Sequence, residues 1–292
     1  MVVVLLNTFF SMEVIAQEDT TLLAPAKLWK FEGLYLFNIN ESSFTNWVAG
    51  GENQVGISTI LKPKLVYDNQ KWSWLTEFDF RYGFQKIQSG TGQKSDDVLQ
   101  MESRVGRRIS EKWKFSGLYT FNSQFSSSHI DGQLVSCFMA PAYTNTSLGF
   151  DYSPKEAISI YLTPWNVRTT YVLNDSLSAK GEFGVSPGHS YVMKMGPSFM
   201  IKYKDEFMKN FLIDTTLGVF SNLMDGFGNP VVNWDTILTM KVNKYIATNF
   251  DFNLFYDPDS KVEVKDSSGQ FIGKEAKVQF KQTLGVGLTL NW

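Results

Sequence analysis

Apolar and polar residues alternate along most of this chain with a period of two. Trp72, Trp74, Phe78, Phe80, Tyr82 and Phe84 fall on one side of a run, and Ser73, Glu77, Asp79, Arg81 and Gln85 fall on the other. A second run sets Trp113, Phe115, Tyr119, Phe121 and Phe125 against Lys114, Ser116, Thr120, Asn122 and Gln124. Successive side chains leave opposite faces of a strand, so this period predicts strands, and both runs are too long and regular for helices. The same pattern closes the chain. Leu284, Val286, Leu288, Leu290 and Trp292 alternate with Thr283, Gly285, Gly287, Thr289 and Asn291, as in a strand with one face in an apolar medium and the other against something polar.

Read this way, the alternation predicts twelve strands, near residues 28–40, 54–68, 71–87, 97–110, 112–126, 140–153, 156–163, 190–204, 209–223, 230–243, 245–257 and 274–292. Connections after the even strands are tight and polar: Asp68 to Gln70, Ser110 to Lys112, Ser153 to Lys155, Lys204 to Glu206, and Asn243 to Lys244. Those after the odd strands are long, near 41–53, 88–96, 127–139, 164–189, 224–229 and 258–273. Short turns at one end and long loops at the other predict an all-β fold, a single antiparallel up-and-down transmembrane β-barrel of about twelve strands. The turns are then periplasmic and the loops extracellular, and an even strand count puts both termini in the periplasm. The terminal alternation resembles the closing-strand signal by which bacterial outer-membrane barrels are recognised for assembly.

Aromatic side chains with polar tips prefer the membrane interface. Trp29, Trp72, Trp113, Tyr245 and Trp292 fall at strand ends on the expected periplasmic side, and Tyr143, Tyr191 and Trp234 begin strands on the other. A soluble sandwich would bury its tryptophans near strand middles. The fourth long loop carries Trp165, Arg168, Tyr171 and Phe183, and its length leaves room for a further hairpin.

Composition narrows the picture. With 27 Lys plus Arg against 29 Asp plus Glu, nucleic acid is not an expected partner, and an aromatic share of 15 % suits a membrane barrel. Residues 1–16, MVVVLLNTFFSMEVIA, read as a signal peptide with Val14 and Ala16 before the cut, although the positive amino-terminal region is missing and the true start is expected upstream. Residues 17–27 form a periplasmic leader and 28–292 the barrel. Cys137 is the only cysteine, and His129 and His189 are the only histidines, which leaves little for zinc or Cys/His catalysis.

Five segments carry a resemblance to a known family: NWVAGGENQ at Asn46 to Gln54, FMAPAYTNTSLGFDYSP at Phe138 to Pro154, LTPWNVRTTYV at Leu162 to Val172, KVNKYIATN at Lys241 to Asn249, and FYDPD at Phe255 to Asp259. Together they resemble a Bacteroidetes family of outer-membrane β-barrel proteins of unknown function, domain of unknown function 3078. The resemblance implies an outer-membrane location and brings no catalytic residues. In the first segment Trp47, Gly50, Gly51 and Asn53 suit either a tight turn anchored by the tryptophan or a loop folded into the barrel as a constriction or docking surface.

If the apolar face is outside, the lumen is lined by Glu77, Asp79, Arg81, Glu102, Arg104, Arg108, Lys194, Lys202, Asp214, Asp235, Lys241, Asp251, Lys277 and Lys281. Both signs are interspersed, so opposing side chains in a narrow barrel are expected to pair across it, as a water-containing plug or as a selective path for a small polar solute. A hydrolase would draw on Ser127, Ser128 and His129 or on His189 and Ser190, but neighbours on a strand point apart. Asp257, Asp259 and Asp266 offer carboxylates for calcium without the spacing of a dedicated loop. The expectation is therefore a non-enzymatic barrel without cofactor or metal, acting as a structural or accessory subunit of a larger outer-membrane complex. The alternatives are a narrow or gated pore and an outer-membrane hydrolase. Expected partners are outer-membrane lipid and lipopolysaccharide, the barrel-assembly machinery and other outer-membrane proteins.

Overall fold

The computed structural model describes residues 28–42, 54–87, 90, 92–130, 132–223, 230–265 and 270–292. The signal-peptide and leader segments, the Trp47, Gly50, Gly51 and Asn53 motif, the 224–229 loop and Asp266 lie outside the described residues. Twelve strands close into one antiparallel barrel. They are β1 (Trp29–Ser42), β2 (Gln54–Asp68), β3 (Trp72–Ile87), β4 (Gln93–Arg108), β5 (Trp113–Ser123) and β6 (Ala142–Lys155). The others are β7 (Ile158–Tyr171), β8 (Tyr191–Met208), β9 (Phe211–Ser221), β10 (Pro230–Lys241), β11 (Ile246–Tyr256) and β12 (Gln279–Asn291). Each strand pairs with its neighbours in sequence, and β12 returns to β1. Strands of 11 to 18 residues are long enough for a tilted strand to cross a bilayer.

Two of the short turns are fastened by asparagine side chains that substitute for a backbone turn. Asn69 Oδ1 accepts from the Lys71 and Trp72 amides at 2.8 and 2.6 Å, and Asn243 Oδ1 accepts from Tyr245 and Ile246 at 2.8 Å each. Asn210 adopts a positive φ of 69° between β8 and β9, a conformation asparagine tolerates better than most residues. The barrel closes where β1 meets β12 over six residue pairs, from Leu34 with Asn291 to Ile39 with Val286, against fourteen pairs between β1 and β2. Trp292 locks the end of this seam. Its backbone exchanges hydrogen bonds with Gly33, and its indole lies over that glycine, where an added Cβ would stand 2.1 Å from the ring.

The strand boundaries differ from the sequence reading in four places. β8 runs to Met208 and not to about 204, so the expected Lys204 to Glu206 turn lies within the strand and the chain turns at Lys209 and Asn210. β4 begins at Gln93 rather than near 97, because its extracellular end pairs with β3 through a bulge. β7 runs to Tyr171 and does not stop near 163, so Trp165, Arg168 and Tyr171 belong to the wall and not to a loop. A bulge at Thr163–Asn166, around Pro164, breaks the alternation there and hid the second half of the strand. The last predicted strand divides in two: Phe271–Ala276 pairs with Lys261–Lys265 as a hairpin outside the barrel, and β12 begins at Gln279. A second small hairpin joins Ser128–Ile130 to Gln133–Ser136.

The fourth loop holds no hairpin. It contains a helix, α1 (Asp175–Ala179), whose first turn is capped by Asn174 Oδ1 accepting from the Leu177 amide at 3.2 Å. Buried Leu177, Val172, Val185 and Ala140 form a small core there, packed against Leu134, Cys137, Phe183 and Val192, which ties the third and fourth loops together.

Candidate functional site: the charged interior

The alternation that turns Phe78, Phe80 and Tyr82 outward sends Glu77, Asp79 and Arg81 of β3 inward. Arg81 is only 4 % exposed, and its guanidinium is fully engaged. Nε and Nη2 donate to Asp79 at 2.9 and 2.7 Å, Nη1 donates to Asp251 at 3.1 Å, and Asp235 lies 3.7 Å from Nη1. Asp251 stands on β11, separated from β3 by β2, β1 and β12 along the shorter way round, and Asp235 stands on β10, one strand further. These contacts therefore cross the interior. Lys62 of β2 adds a cation 3.0 Å from Asp79.

A second group centres on Arg104 of β4. It pairs with Glu102 at 2.9 Å and with Asp151 of β6, donates to Ser159 Oγ at 3.2 Å, and lies over the Tyr161 ring at 5.1 Å. Lys202 of β8 reaches across to Glu77 and Glu102, both at 2.9 Å, although β5, β6 and β7 separate it from β4. Nearer the extracellular end, Arg168 of β7 pairs with the buried Asp257 at 2.6 Å and stacks on Tyr143 at 4.6 Å. Lys194 pairs with Asp259, Lys274 with Glu182, and Lys281 of β12 with Asp96 of β4 at 2.7 Å.

Between these groups the inner face also carries hydrogen-bonded amides and a small apolar cluster. Asn249 donates to Asn38 at 3.1 Å, and Asn166 to Asn145 at 3.2 Å, which in turn donates to Thr120 at 2.9 Å. Leu36, Ile60 and Ile237 pack together with Leu34. Leu36 lies on β1 and Ile237 on β10, so this contact too spans the interior. A carboxylate or guanidinium taken out of water costs several kcal/mol unless paired, and the pairing here is what makes so charged an interior tolerable. Chemically, the arrangement ties opposite walls together through paired charges.

Of the residues expected in the lumen, Glu77, Asp79, Arg81, Glu102, Arg104, Lys202, Asp235 and Asp251 are joined in this network. Asp214 pairs with Lys204 at 3.0 Å on neighbouring strands, and Lys241 ends β10 near the turns. Arg108 sits at the periplasmic rim, paired with Asp68 at 3.0 Å and more than a third exposed. Lys277 lies past the outer hairpin, exposed beside Glu275 and apart from the network. Tyr143 faces inward beneath Arg168 rather than toward lipid. Asp257 and Asp259 turn to Arg168 and Lys194, each a cation partner. His129 and His189 are exposed in separate loops.

Sequence reasoning passed over Lys62, Asp96, Asp151 and Arg168. Inward parity on β2 and β6, where Lys62 follows Ile60 and Asp151 sits between Phe150 and Tyr152, was signal enough for two of them. Arg168 was hidden by the bulge.

The outer surface is the inverse of the interior. Phe31, Ile39, Ile57, Trp74, Val105, Phe115, Leu148, Phe150, Phe280, Leu284 and Leu288 all face out and are exposed. Trp29, Trp72, Trp113, Tyr245 and Trp292 cluster near the turns. Trp29 packs on Tyr67 and Trp74, Trp113 on Tyr152, and Phe31 on Trp292. Trp234 lies toward the loop end, against Phe252. No helix among the described residues is long and apolar enough to cross a membrane. A closed wall with an apolar belt outside and paired charges inside is a membrane-spanning barrel of the bacterial outer-membrane type.

Residues 39–129 match a family described as protein of unknown function (DUF3078). The first of the five segments quoted above falls within this match; the other four lie outside it or, at 255–259, well beyond it. No curated protein matches the chain. Among solved structures, the chain is similar to an outer membrane channel from Pseudomonas putida F1, at 10 % identity and a TM-score of 0.41, covering 92 % of this chain and 100 % of that one. It is also similar to the translocator domain of the autotransporter NalP from Neisseria meningitidis, at 8 % identity and a TM-score of 0.34, covering 90 % and 86 %. A third likeness is to outer membrane phospholipase A from Escherichia coli, at 10 % identity and a TM-score of 0.35, covering 91 % and 93 %.

Proposed function

We propose that this chain is a non-enzymatic outer-membrane barrel that serves as a structural or accessory subunit of a larger outer-membrane complex, with its lumen closed by its own side chains. The observation that carries this reading is the set of cross-lumen ion pairs, Arg81 with Asp251 and Lys202 with Glu77 and Glu102. A solute path needs groups that bind weakly and release. Here Lys62, Arg81, Arg104 and Lys202 are already held by carboxylates on other strands, and the surfaces left for function are the outer wall and the folded loops. Lys62 and Lys202 keep about a quarter of their side chains accessible, consistent with a hydrated plug rather than a dry core.

Gentle detergent extraction from the native membrane followed by mass analysis tests the reading. The expected result is a stable assembly with other outer-membrane proteins. A barrel recovered without any other protein, and conducting on its own, would replace the subunit reading with that of a pore.

A further inference from the structure

The outer wall carries one feature that a lipid-facing surface alone does not explain. Pro164 and Trp165 are successive residues of β7 and both face outward, because the bulge opposite Gly149 and Pro197 adds a residue to the strand. Thr163 fastens the bulge: its hydroxyl donates to the Leu148 carbonyl at 2.7 Å and accepts from the Trp165 amide at 3.2 Å. A bulge re-aims a side chain, and this one drives Trp165 out to 68 % exposure near the middle of a fourteen-residue strand.

Tryptophan in a barrel wall ordinarily sits at the interface belts, where its indole N–H stays wet. Two other outward tryptophans satisfy that N–H within the wall. Trp74 Nε1 donates to Ser103 Oγ at 3.0 Å, and Trp234 Nε1 to Thr215 Oγ1 at 3.0 Å. Among the described residues nothing accepts from Trp165 Nε1, and nothing pairs with the hydroxyl of Tyr119, which also faces outward from the middle of β5. An unsatisfied donor in hydrocarbon is costly.

Donor and acceptor belong to one patch. Beside Tyr119 on the same face is Gly117, where an added Cβ would find only Leu148 Cδ2 at 3.4 Å and a carbonyl at 4.0 Å, leaving a dent in the wall. Leu148 lies between this dent and Trp165, paired with Gly117 on one side and with Trp165 on the other. A knob with a free donor thus stands two strands from a dent with a free acceptor. A two-fold interface requires just this, since residue i of one copy meets residue j of the other and the reverse. The exposed apolar side chains around it, Phe115, Leu148, Phe150, Leu162, Met193 and Met195 together with Tyr119 and Trp165, leave on the order of 800 Å² uncovered, about what each partner gives to a standard-sized interface.

We propose that the β5–β8 face binds a second copy of this chain within the membrane, Trp165 of each copy entering the Gly117 dent of the other and donating its Nε1–H to the Tyr119 hydroxyl. The inference goes beyond the subunit reading and does not require it, because a dimer forms whether or not other proteins join.

The test is photo-crosslinking in intact cells, with a photoreactive residue in place of Leu148 in the otherwise full-length chain. The expected product is a band at twice the chain mass. It should fall at least tenfold with Trp165→Leu and with Gly117→Leu, while Trp165→Phe, which keeps the knob and removes the donor, gives an intermediate loss. Heat-modifiable migration of each variant confirms that the barrel has folded; a variant that fails this check is replaced by Tyr119→Phe, for which the same partial loss as Trp165→Phe is expected. Absence of the double-mass band, its survival in folded Trp165→Leu, or crosslinks to a different protein or to lipid alone would overturn the proposal. A failed dimer accompanied by heterologous partners would leave the subunit reading standing.

Discussion

The two faces of β3 make the clearest comparison in the molecule. On one side Trp72, Trp74, Phe78, Phe80, Tyr82 and Phe84 look outward, several of them more than 40 % exposed. On the other, Glu77, Asp79 and Arg81 look inward, and Arg81 is almost completely covered. In a water-soluble protein the assignment would be the reverse. The difference shows that each face is solved separately. The outer face has its stability from the surrounding hydrocarbon and needs no partner at each position, whereas the inner face is stable only as a set, because every charge depends on another strand.

Breaking a member of the inner set should therefore do the most damage. Arg81→Ala leaves Asp79, Asp235 and Asp251 without their shared cation, and the expected loss is about 3–5 kcal/mol. Denaturant unfolding of the detergent-solubilised barrel measures it. Replacing Arg81 and Asp251 together by Met and Leu should recover much of that loss, since an apolar pair of similar volume often equals a buried ion pair. If the single and double variants were equally unstable, dependence of one strand on another would not be the reason for the inner face.

The opposite error, a cation added outside, comes next. Val286 faces lipid near the middle of β12, and Val286→Arg should cost about 2–4 kcal/mol and reduce the amount of heat-modifiable barrel recovered from the membrane. Its effect should be larger than that of arginine placed at the exposed Leu290, closer to the interface. The smallest effect should come from Arg108→Ala. Its pair with Asp68 is exposed at the rim, so about 0.2–1 kcal/mol is expected, and a loss as large as that of Arg81→Ala would mean that the rim belongs to the network.

The outer face was almost entirely legible in the sequence. Alternation depends on neighbours within one strand, so eleven strands and the direction of their side chains followed from local pattern, and with them the closed antiparallel barrel. The exception is instructive. At Thr163–Asn166 an extra residue shifts the parity, and the second half of β7, with Arg168 in it, looked like loop. The inner face was legible only as composition. That Arg81 faces inward follows from the residues beside it, but that it meets Asp251 depends on how many strands lie between them and how the registers accumulate around the ring. The loops fared worst, because the core of Val172, Leu177 and Val185 has neither strand nor helix periodicity long enough to read. Asp257 and Asp259 seemed free to gather an ion, and their cations came from β7 and β8, far away in sequence.

The central claim, that charges of both signs close the lumen by pairing across it, is tested most directly by conductance. Purified full-length protein in a planar bilayer should show little steady current, and Lys202→Met, which removes the bridge to Glu77 and Glu102, should introduce noisy, short-lived openings before any stable ion preference. Large, reproducible, long-lived channels in the unsubstituted protein, with ion preference altered by the same substitution, would contradict it.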